Sequence, residues 1–274
     1  MLTRPTANGG RAGRGRHPRG VVHGLLVGLL GAACSSAPPY SGWTPEQLYE
    51  HGQRAFDEGD WGEARRAFER LVLTFPGFDQ AVDARYMMAE ATYRDRDYLG
   101  AIAEFRRLVD LYPDHARADQ AWMGLCRANA SLSPHSQRDQ TPTMQAQRIC
   151  ANVGGDFAGT EIGDSAAAIA GRMTDQLAER AYDVALFYFR RKLFDSAEIA
   201  FLDLLCLYPA STSAPEALER LIDTYEEWDY DEPVEQIRAR LQRTCPSPPE
   251  ARGLVLPAPG DTLSLVRSRA PPLR

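Results

Sequence analysis

Residues 49–76 read YEHGQRAFDEGDWGEARRAFERLVLTFP, and four positions in this stretch decide the fold. Gly52 is followed after twelve positions by Ala64, after four more by Phe68 and after eight more by Pro76. Two antiparallel helices approach closely only where a small side chain receives a large one, as Gly52 and Ala64 are expected to receive Phe56 and Phe68. Pro76 ends the second helix because proline lacks the amide hydrogen and disfavours helical geometry in the preceding residue. The stretch therefore predicts a helix, a turn and a second helix.

The same pattern recurs along the chain. Aligning the aromatic-proline pairs at 75–76, 112–113 and 208–209 gives offsets of 37 and 96 residues, at which many other positions coincide. The coincident columns are Tyr49, Tyr86 and Tyr182; Gly52, Ala89 and Ala185; Phe56, Tyr93 and Phe189; Ala64, Ala101 and Ala197; Phe68, Phe105 and Phe201; and Leu71, Leu108 and Leu204. This spacing is typical of tetratricopeptide repeats, in which stacked helical hairpins bury their apolar faces on one another.

Two further units complete the array. Trp122, Leu125 and Asn129 lie in a third unit, and Leu218, Leu221 and Tyr225 lie in a fifth. We therefore predict an all-α fold, a tetratricopeptide-repeat solenoid of about five helical hairpins from residue 45 to residue 245. The predicted units are 45–78, 82–115, 119–158, 175–211 and 214–245.

The middle of the array departs from a plain solenoid. Two regular periods of 37 residues would span 74 positions, so the observed offset of 96 leaves 22 extra residues. They fit two loops, residues 131–143 after the first helix of unit three and residues 152–163 after its second helix. Both stretches are dense in Gly, Pro, Ser, Asp and Asn, which favour turns.

The N-terminus has the pattern of an export signal. Residues 1–33 carry five arginines and no acidic residue, and they end in an apolar run over residues 21–33 that only His23 interrupts. This run is too short to span a bilayer, which needs about 20 residues. A basic start followed by a short apolar segment and small residues is typical of a secretory signal peptide, so we predict that residues 1–33 are removed.

The signal ends at a cysteine. Ala32 and Ala33 precede Cys34 and resemble a bacterial lipobox, which predicts that Cys34 is acylated and becomes the new N-terminus. The alternative is a conventional signal peptide followed by an ordinary thiol. Ser35 in the second mature position resembles lipoproteins that are released to the outer membrane. The stretch 34–44 is rich in Pro and Ser, as expected of a lipidated tether.

Charge and motifs exclude several functions. The chain has 31 Lys and Arg against 37 Asp and Glu, a formal net charge of -6, which argues against nucleic acid as the main partner. Its five histidines form no HExxH pattern, and GGDFAG at 154–159 lacks the lysine of a phosphate-binding loop. We therefore expect no enzymatic activity, no metal site and no cofactor. An enzymatic alternative would need a catalytic group assembled across loops.

Four cysteines remain after Cys34. In an oxidising compartment an even number permits two disulfides in three connectivities, and the alternative is that the cysteines are buried as apolar side chains. Cys126 and Cys150 lie on the two helices of unit three, while Cys206 and Cys245 lie near the ends of equivalent helices in adjacent units. This placement favours Cys126 with Cys150 and Cys206 with Cys245.

The C-terminal tail has a different composition. Residues 246–274 are rich in proline and lack helical periodicity, so we expect them to be flexible. A short docking motif within GLVLP, residues 253–257, is an alternative to a linker.

Three stretches carry a resemblance to a known family. They are DRDYLGAIAEFRRLVDLYPDHARADQAWMGLCRAN at 95–129, RDQTPTMQA at 138–146 and LAERAYDVALFYFRRKLFDSAEIAFLDLLCLYP at 177–209. Together with the lipobox they resemble the BamD (ComL) family, a lipoprotein of the bacterial machinery that assembles outer-membrane β-barrels. The RDQT loop in an expanded third repeat, followed by LAERAYDVALFYF, is the most specific part of the likeness.

The resemblance implies a scaffold at the periplasmic face of the outer membrane. Its implied partners are a BamA-type insertase and unfolded outer-membrane proteins, which would lie in a groove of the first two units. The residues implied in partner binding are Arg138, Asp139, Gln140, Thr141, Arg190, Arg191 and Lys192. For the basic residues the alternative is a solvated turn. Alternative functions are a scaffold that coordinates cell-wall synthesis with the Tol system, or a pilotin for a secretin.

Overall fold

A computed structural model describes residues 40–134, 139–229, 233–247 and 249–257. Within these ranges there are ten α-helices and no β-strand. The helices are α1 (Pro45–Glu58), α2 (Trp61–Thr74), α3 (Ala81–Arg94), α4 (Tyr98–Leu111), α5 (Ala118–Ser131), α6 (Thr141–Asp156), α7 (Glu161–Arg190), α8 (Phe194–Leu207), α9 (Ala214–Glu227) and α10 (Pro233–Thr244). A short 3₁₀-helix follows at Pro249–Arg252. The helices form five successive antiparallel hairpins, which confirms the all-α tetratricopeptide-repeat solenoid.

Aromatic side chains received by small residues form the core. Phe68, Phe105 and Phe201 are all fully buried. A Cβ atom added to Gly52 would lie 2.7 Å from Cε1 of Phe68, so only glycine lets α1 approach α2 this closely. At Gly124 an added Cβ would lie 2.5 Å from Cζ of Phe105, which packs α4 of the second hairpin against α5 of the third. The repeated columns are therefore contacts both within and between hairpins.

Local signals set the helix ends. The hydroxyl of Thr44 accepts a hydrogen bond from the Gln47 amide at 3.3 Å, and the Gln47 side chain accepts one from the Thr44 amide at 3.0 Å, forming a capping box. Asp60 caps α2 and Asp97 caps α4 by a single hydrogen bond each, in which the carboxylate accepts from the amide of Glu63 or of Gly100. None of the helices in the described ranges is both long enough and apolar enough to cross a membrane.

The structure differs from the prediction in the middle of the array. The expected loop at 152–163 contracts to residues 157–160, because α6 continues to Asp156 and α7 already begins at Glu161. α7 is then one continuous helix of 30 residues, so the fourth hairpin does not begin at 175 as predicted. Most of the inserted residues lengthen this helix. Its first half buries Ala166 and Ile169 against α6, and this tertiary contact overrides the turn signal of Gly154 and Gly155.

The tail also differs from the prediction in part. Residues 249–252 form the 3₁₀-helix, and Leu254 is buried in the apolar cluster of the last two hairpins. The expectation of a flexible tail from residue 246 was therefore wrong for residues 249–257. Residues 258–274, like the predicted signal peptide and Cys34, lie outside the described residues.

Two disulfides link helices in the array. Cys126 of α5 is bonded to Cys150 of α6 within the third hairpin, with their Cα atoms 4.9 Å apart. Cys206 of α8 is bonded to Cys245, directly after α10, with their Cα atoms 5.2 Å apart. These are the pairs favoured by the placement of the four cysteines on the predicted helices. The second disulfide ties the end of the fourth hairpin to the end of the fifth.

Tyrosine hydroxyls and carboxylates connect the last hairpins. Tyr182 donates a hydrogen bond to Glu216 at 2.6 Å, joining α7 to α9. Tyr225 donates to the buried carboxylate of Glu198, which also accepts from Arg240 at 3.1 Å. The pKa of Tyr182 and the pKa of Tyr225 are each raised to about 12. Burial of the hydroxyl has the largest effect, and the hydrogen bond to the carboxylate raises the pKa further. The hydroxyls therefore remain protonated donors at neutral pH.

Candidate interaction surface

The turn between α7 and α8 carries the three basic residues singled out in the sequence. The Arg191 amide donates to the carbonyl of Tyr188 at 3.1 Å, and Lys192 has a left-handed φ of 59°. The side chains of Arg190, Arg191 and Lys192 are all exposed. No carboxylate in the part of the chain that the structure describes lies within ion-pair distance of them. The turn therefore presents three positive charges that the array does not neutralise.

Two large apolar side chains are exposed beside these charges. Phe187 and Leu193 are each 50% exposed. The guanidinium carbon of Arg191 lies 4.4 Å from the centre of the Phe187 ring, a cation–π contact. We call Phe187 and residues 190–193 the turn surface. Aromatic and arginine side chains that lie together at the surface are enriched in protein–protein interfaces.

The apolar part of the turn surface was not predicted from the sequence. Phe187 lies outside the columns that contain Tyr182, Ala185 and Phe189, so the repeat does not require a large apolar side chain there. An aromatic residue off the core columns was the signal that could have identified it.

The structure describes three of the four residues of the RDQT stretch. Arg138 lies outside the described residues. Asp139 Oδ1 accepts hydrogen bonds from the Thr141 amide at 3.1 Å and the Thr141 hydroxyl at 2.8 Å, and these bonds lower the pKa of Asp139. Gln140 Oε1 accepts from the hydroxyl of Thr143 at 2.8 Å. Asp139, Gln140 and Thr141 therefore shape the start of α6.

A polar cluster anchors this loop to α7. The buried hydroxyl of Thr143 lies 2.7 Å from Ser133 Oγ, and Ser133 donates to Gln176 Oε1 at 3.0 Å. The Gln176 amide nitrogen also donates to the carbonyl of Pro134. No sequence signal marked Gln176, because its partners become neighbours only when α7 packs against the loop.

The two predicted partner-binding segments do not form one site. Gln176 meets the RDQT loop in the middle of α7, whereas Arg190 ends the same helix 14 residues later. At 1.5 Å per residue this separation is roughly 21 Å along the helix axis. The turn surface is therefore a separate candidate for partner binding.

A groove lies in the first two hairpins, between α2 and α4 and over α3. Its volume is about 210 Å³. Val72, Met88 and Thr92 are buried residues that line it, and Leu73 lines it while being 73% exposed. The charged lining residues are Arg65, Glu69, Arg85, Asp97, Glu104 and Arg107. Of the repeated aromatics in these hairpins, Phe68 and Phe105 are fully buried, and none of the repeated aromatics lines the groove.

The groove contains one buried acceptor without a partner. Glu104 accepts a hydrogen bond from Arg107 at 3.3 Å through Oε1, whereas its Oε2 atom is buried and forms no hydrogen bond. Across the described ranges, no group of three or more His, Cys, Asp and Glu side chains could hold a metal ion.

One family model and several named relatives match this chain. The model of the YfiO family, described as an outer membrane lipoprotein, matches residues 42–241. A putative outer membrane protein assembly factor BamD of Aquifex aeolicus is 28% identical over 131 residues, which cover 46% of this chain and 42% of that protein. The outer membrane protein assembly factor BamD of Caulobacter vibrioides is 26% identical, with 75% of this chain and 67% of that protein covered.

A third relative is matched over nearly its whole length. The outer membrane protein assembly factor BamD of Vibrio cholerae is 23% identical over 234 residues, which cover 81% of this chain and 96% of that protein. The chain thus spans less than half of the Aquifex relative and almost all of the Vibrio one. Among solved structures, a thermophilic TPR protein of Thermus thermophilus has a TM-score of 0.33 and 17% identity, covering 76% of this chain and 95% of that one.

Proposed function

Because this chain belongs to the YfiO family of outer membrane lipoproteins, we propose that it is a scaffold of the β-barrel assembly machinery. The proposal rests on the family match over residues 42–241, which extends from the start of the array into α10. Acyl chains on Cys34 hold the array at the periplasmic face of the outer membrane. The protein acts by binding, without catalysing a reaction itself.

The turn surface docks on the periplasmic domains of a BamA-type insertase. The three positive charges of the turn, which have no carboxylate within ion-pair distance among the described residues, attract an acidic surface over several ångströms and speed up association. Phe187, half exposed and covered on one side by Arg191, supplies the apolar anchor of the contact. The expected partner surface is therefore acidic around an apolar pocket.

Charge reversal at the turn surface tests this docking. The double change Arg190→Glu with Arg191→Glu is expected to lower recovery of the insertase with the tagged, detergent-extracted protein by about tenfold, because like charges then oppose each other. The matched control is Arg54→Glu with Arg70→Glu, two exposed arginines on α1 and α2 that do not line the groove of the first two hairpins. Mass spectrometry of the recovered partners gives the measurement. Equal loss in both pairs would show that the turn surface is not the docking site.

Lys192 offers a direct readout of the same contact. It is the only lysine in the 274 residues, so an amine-reactive cross-linker can modify no other side chain amine. We expect links from Lys192 to the insertase in membranes. The control moves the lysine to the exposed position Arg70 on α2, by Lys192→Arg with Arg70→Lys, and should give no insertase link. Cell-wall or secretin components in place of the insertase would support the alternative scaffolds.

The groove of the first two hairpins holds segments of unfolded outer-membrane proteins. Its apolar lining suits one or two apolar side chains, and its charged lining residues suit the polar backbone of an extended segment. A photo-cross-linking residue at Leu73 should therefore capture these clients. The control position is Leu207 of α8, which is 62% exposed and lies in the fourth hairpin. Capture from both positions alike would contradict a specific groove.

A further inference from the structure

The C-terminal segment 252–257 lies against the last hairpins with alternating exposure. Leu254 is 5% exposed, Val255 is 79% exposed, and Leu256 is again packed against the apolar cluster of α8, α9 and α10. This alternation is that of an extended peptide with one face on a groove. Gly253 lets the backbone of the segment pass close to Ala210. Its φ is 103°, and an added Cβ would lie 3.0 Å from the Cβ of Ala210.

Polar contacts hold both ends of the segment. The guanidinium of Arg252 donates to the carbonyl of Cys206, in the last turn of α8, where helix carbonyls lack partners within the helix. At the other end the Pro257 carbonyl accepts a hydrogen bond from Arg238 of α10 at 3.3 Å. The segment is thus bound by two leucines and by one hydrogen bond near each end, which is how grooves bind extended peptides.

The repeat architecture does not require this segment. A tetratricopeptide unit is complete after its second helix, which here ends at Thr244, and the family match already ends at residue 241. The segment covers apolar surface of the cluster to which α8, α9 and α10 contribute. Residues 252–257 therefore lie on this surface as a bound peptide would, and not as part of a repeat.

We propose that α8, α9 and α10 form a binding groove for extended peptides with alternating leucines, and that residues 252–257 occupy it in the free protein. A partner segment with arginine ahead of a Leu-X-Leu-Pro sequence would have to displace this intramolecular occupant. The inference is independent of the proposed docking at the turn surface.

Two neighbouring substitutions in the full-length chain test the proposal. Leu254→Asp places a charge against the apolar cluster and should release the segment, whereas Val255→Asp makes the same change on the exposed side. We expect trypsin to cut after Arg252 at least about tenfold faster in Leu254→Asp than in wild type or Val255→Asp, since release opens the backbone to the protease. Circular dichroism checks that the helices remain.

A labelled peptide ARGLVLPA, added in trans, provides the second measurement. Fluorescence anisotropy should show binding to Leu254→Asp and none to wild type or Val255→Asp, whose groove is occupied. Gly253→Val, strained at its positive φ and against Ala210, is a second release variant that leaves the apolar cluster uncharged. Equal cleavage of the two Asp variants, or released variants that do not bind the peptide, would overturn the proposal.

Discussion

Replacing Cys34 with alanine is expected to lower the amount of this protein in the outer membrane by at least about tenfold. Without the thiol no acyl chains can be attached, and stable anchoring takes two hydrophobic anchors because a single chain binds only marginally and reversibly. Density-gradient fractionation with immunoblotting measures the change, and incorporation of labelled fatty acid tests the modification itself. Ser35→Ala, one residue further, is the control.

Retention of the Cys34→Ala variant in the outer membrane has two distinct meanings. Either the proposed anchor is wrong, or the turn surface holds the array on a membrane-embedded partner. Adding Arg190→Glu and Arg191→Glu to the variant separates them. Release on charge reversal would assign the retention to docking, whereas continued retention with no fatty acid incorporated would contradict lipidation at Cys34.

Replacing Phe105 with alanine is expected to destabilise the array by about 3–5 kcal/mol, the usual cost of deleting a buried phenylalanine. Phe105 is fully buried, and its ring fills the space left by Gly124 of the next hairpin. Its loss therefore weakens the second hairpin and also its interface with the third, on which a stacked array depends. Urea unfolding followed by helical circular dichroism measures the free energy of unfolding.

Leu111 provides the matched control on the same helix. It is 59% exposed, so Leu111→Ala should change the free energy of unfolding by less than about 0.5 kcal/mol. Gly124→Leu should destabilise in the same direction as Phe105→Ala, because even a Cβ atom would lie 2.5 Å from the ring. If Phe105→Ala cost no more than Leu111→Ala, the repeated aromatic column would not be the core of the solenoid.

Periodicity was informative wherever the repeat is regular. The column of Phe68, Phe105 and Phe201 is fully buried, as expected for large residues that pack against small ones. The helix ends beside Asp60 and Asp97 likewise follow from local capping chemistry, which acts between residues three positions apart. Such features depend on near neighbours in the chain, so the chain itself displays them.

Periodicity failed where distant residues decide the local conformation. Gly154 and Gly155 suggested a loop, yet α6 passes through them because the neighbouring α7 packs against it. Gln140 at the start of α6 accepts a hydrogen bond from Gln176 of α7, a contact that no spacing in the sequence indicates. In both cases the partner lies on another helix and could not be inferred from spacing.

The amino-acid sequence by itself determined the five hairpins, their stacking through small and aromatic columns, the helix caps and the signal-like N-terminus. All of these arise from local propensity and from repetition at a fixed period. Only the tertiary structure decided that α7 is one 30-residue helix, that Phe187 stands beside Arg191 on an exposed turn, and that Leu254 returns to the core. The physical reason is that burial depends on which surfaces meet, and these surfaces meet only after the helices have packed.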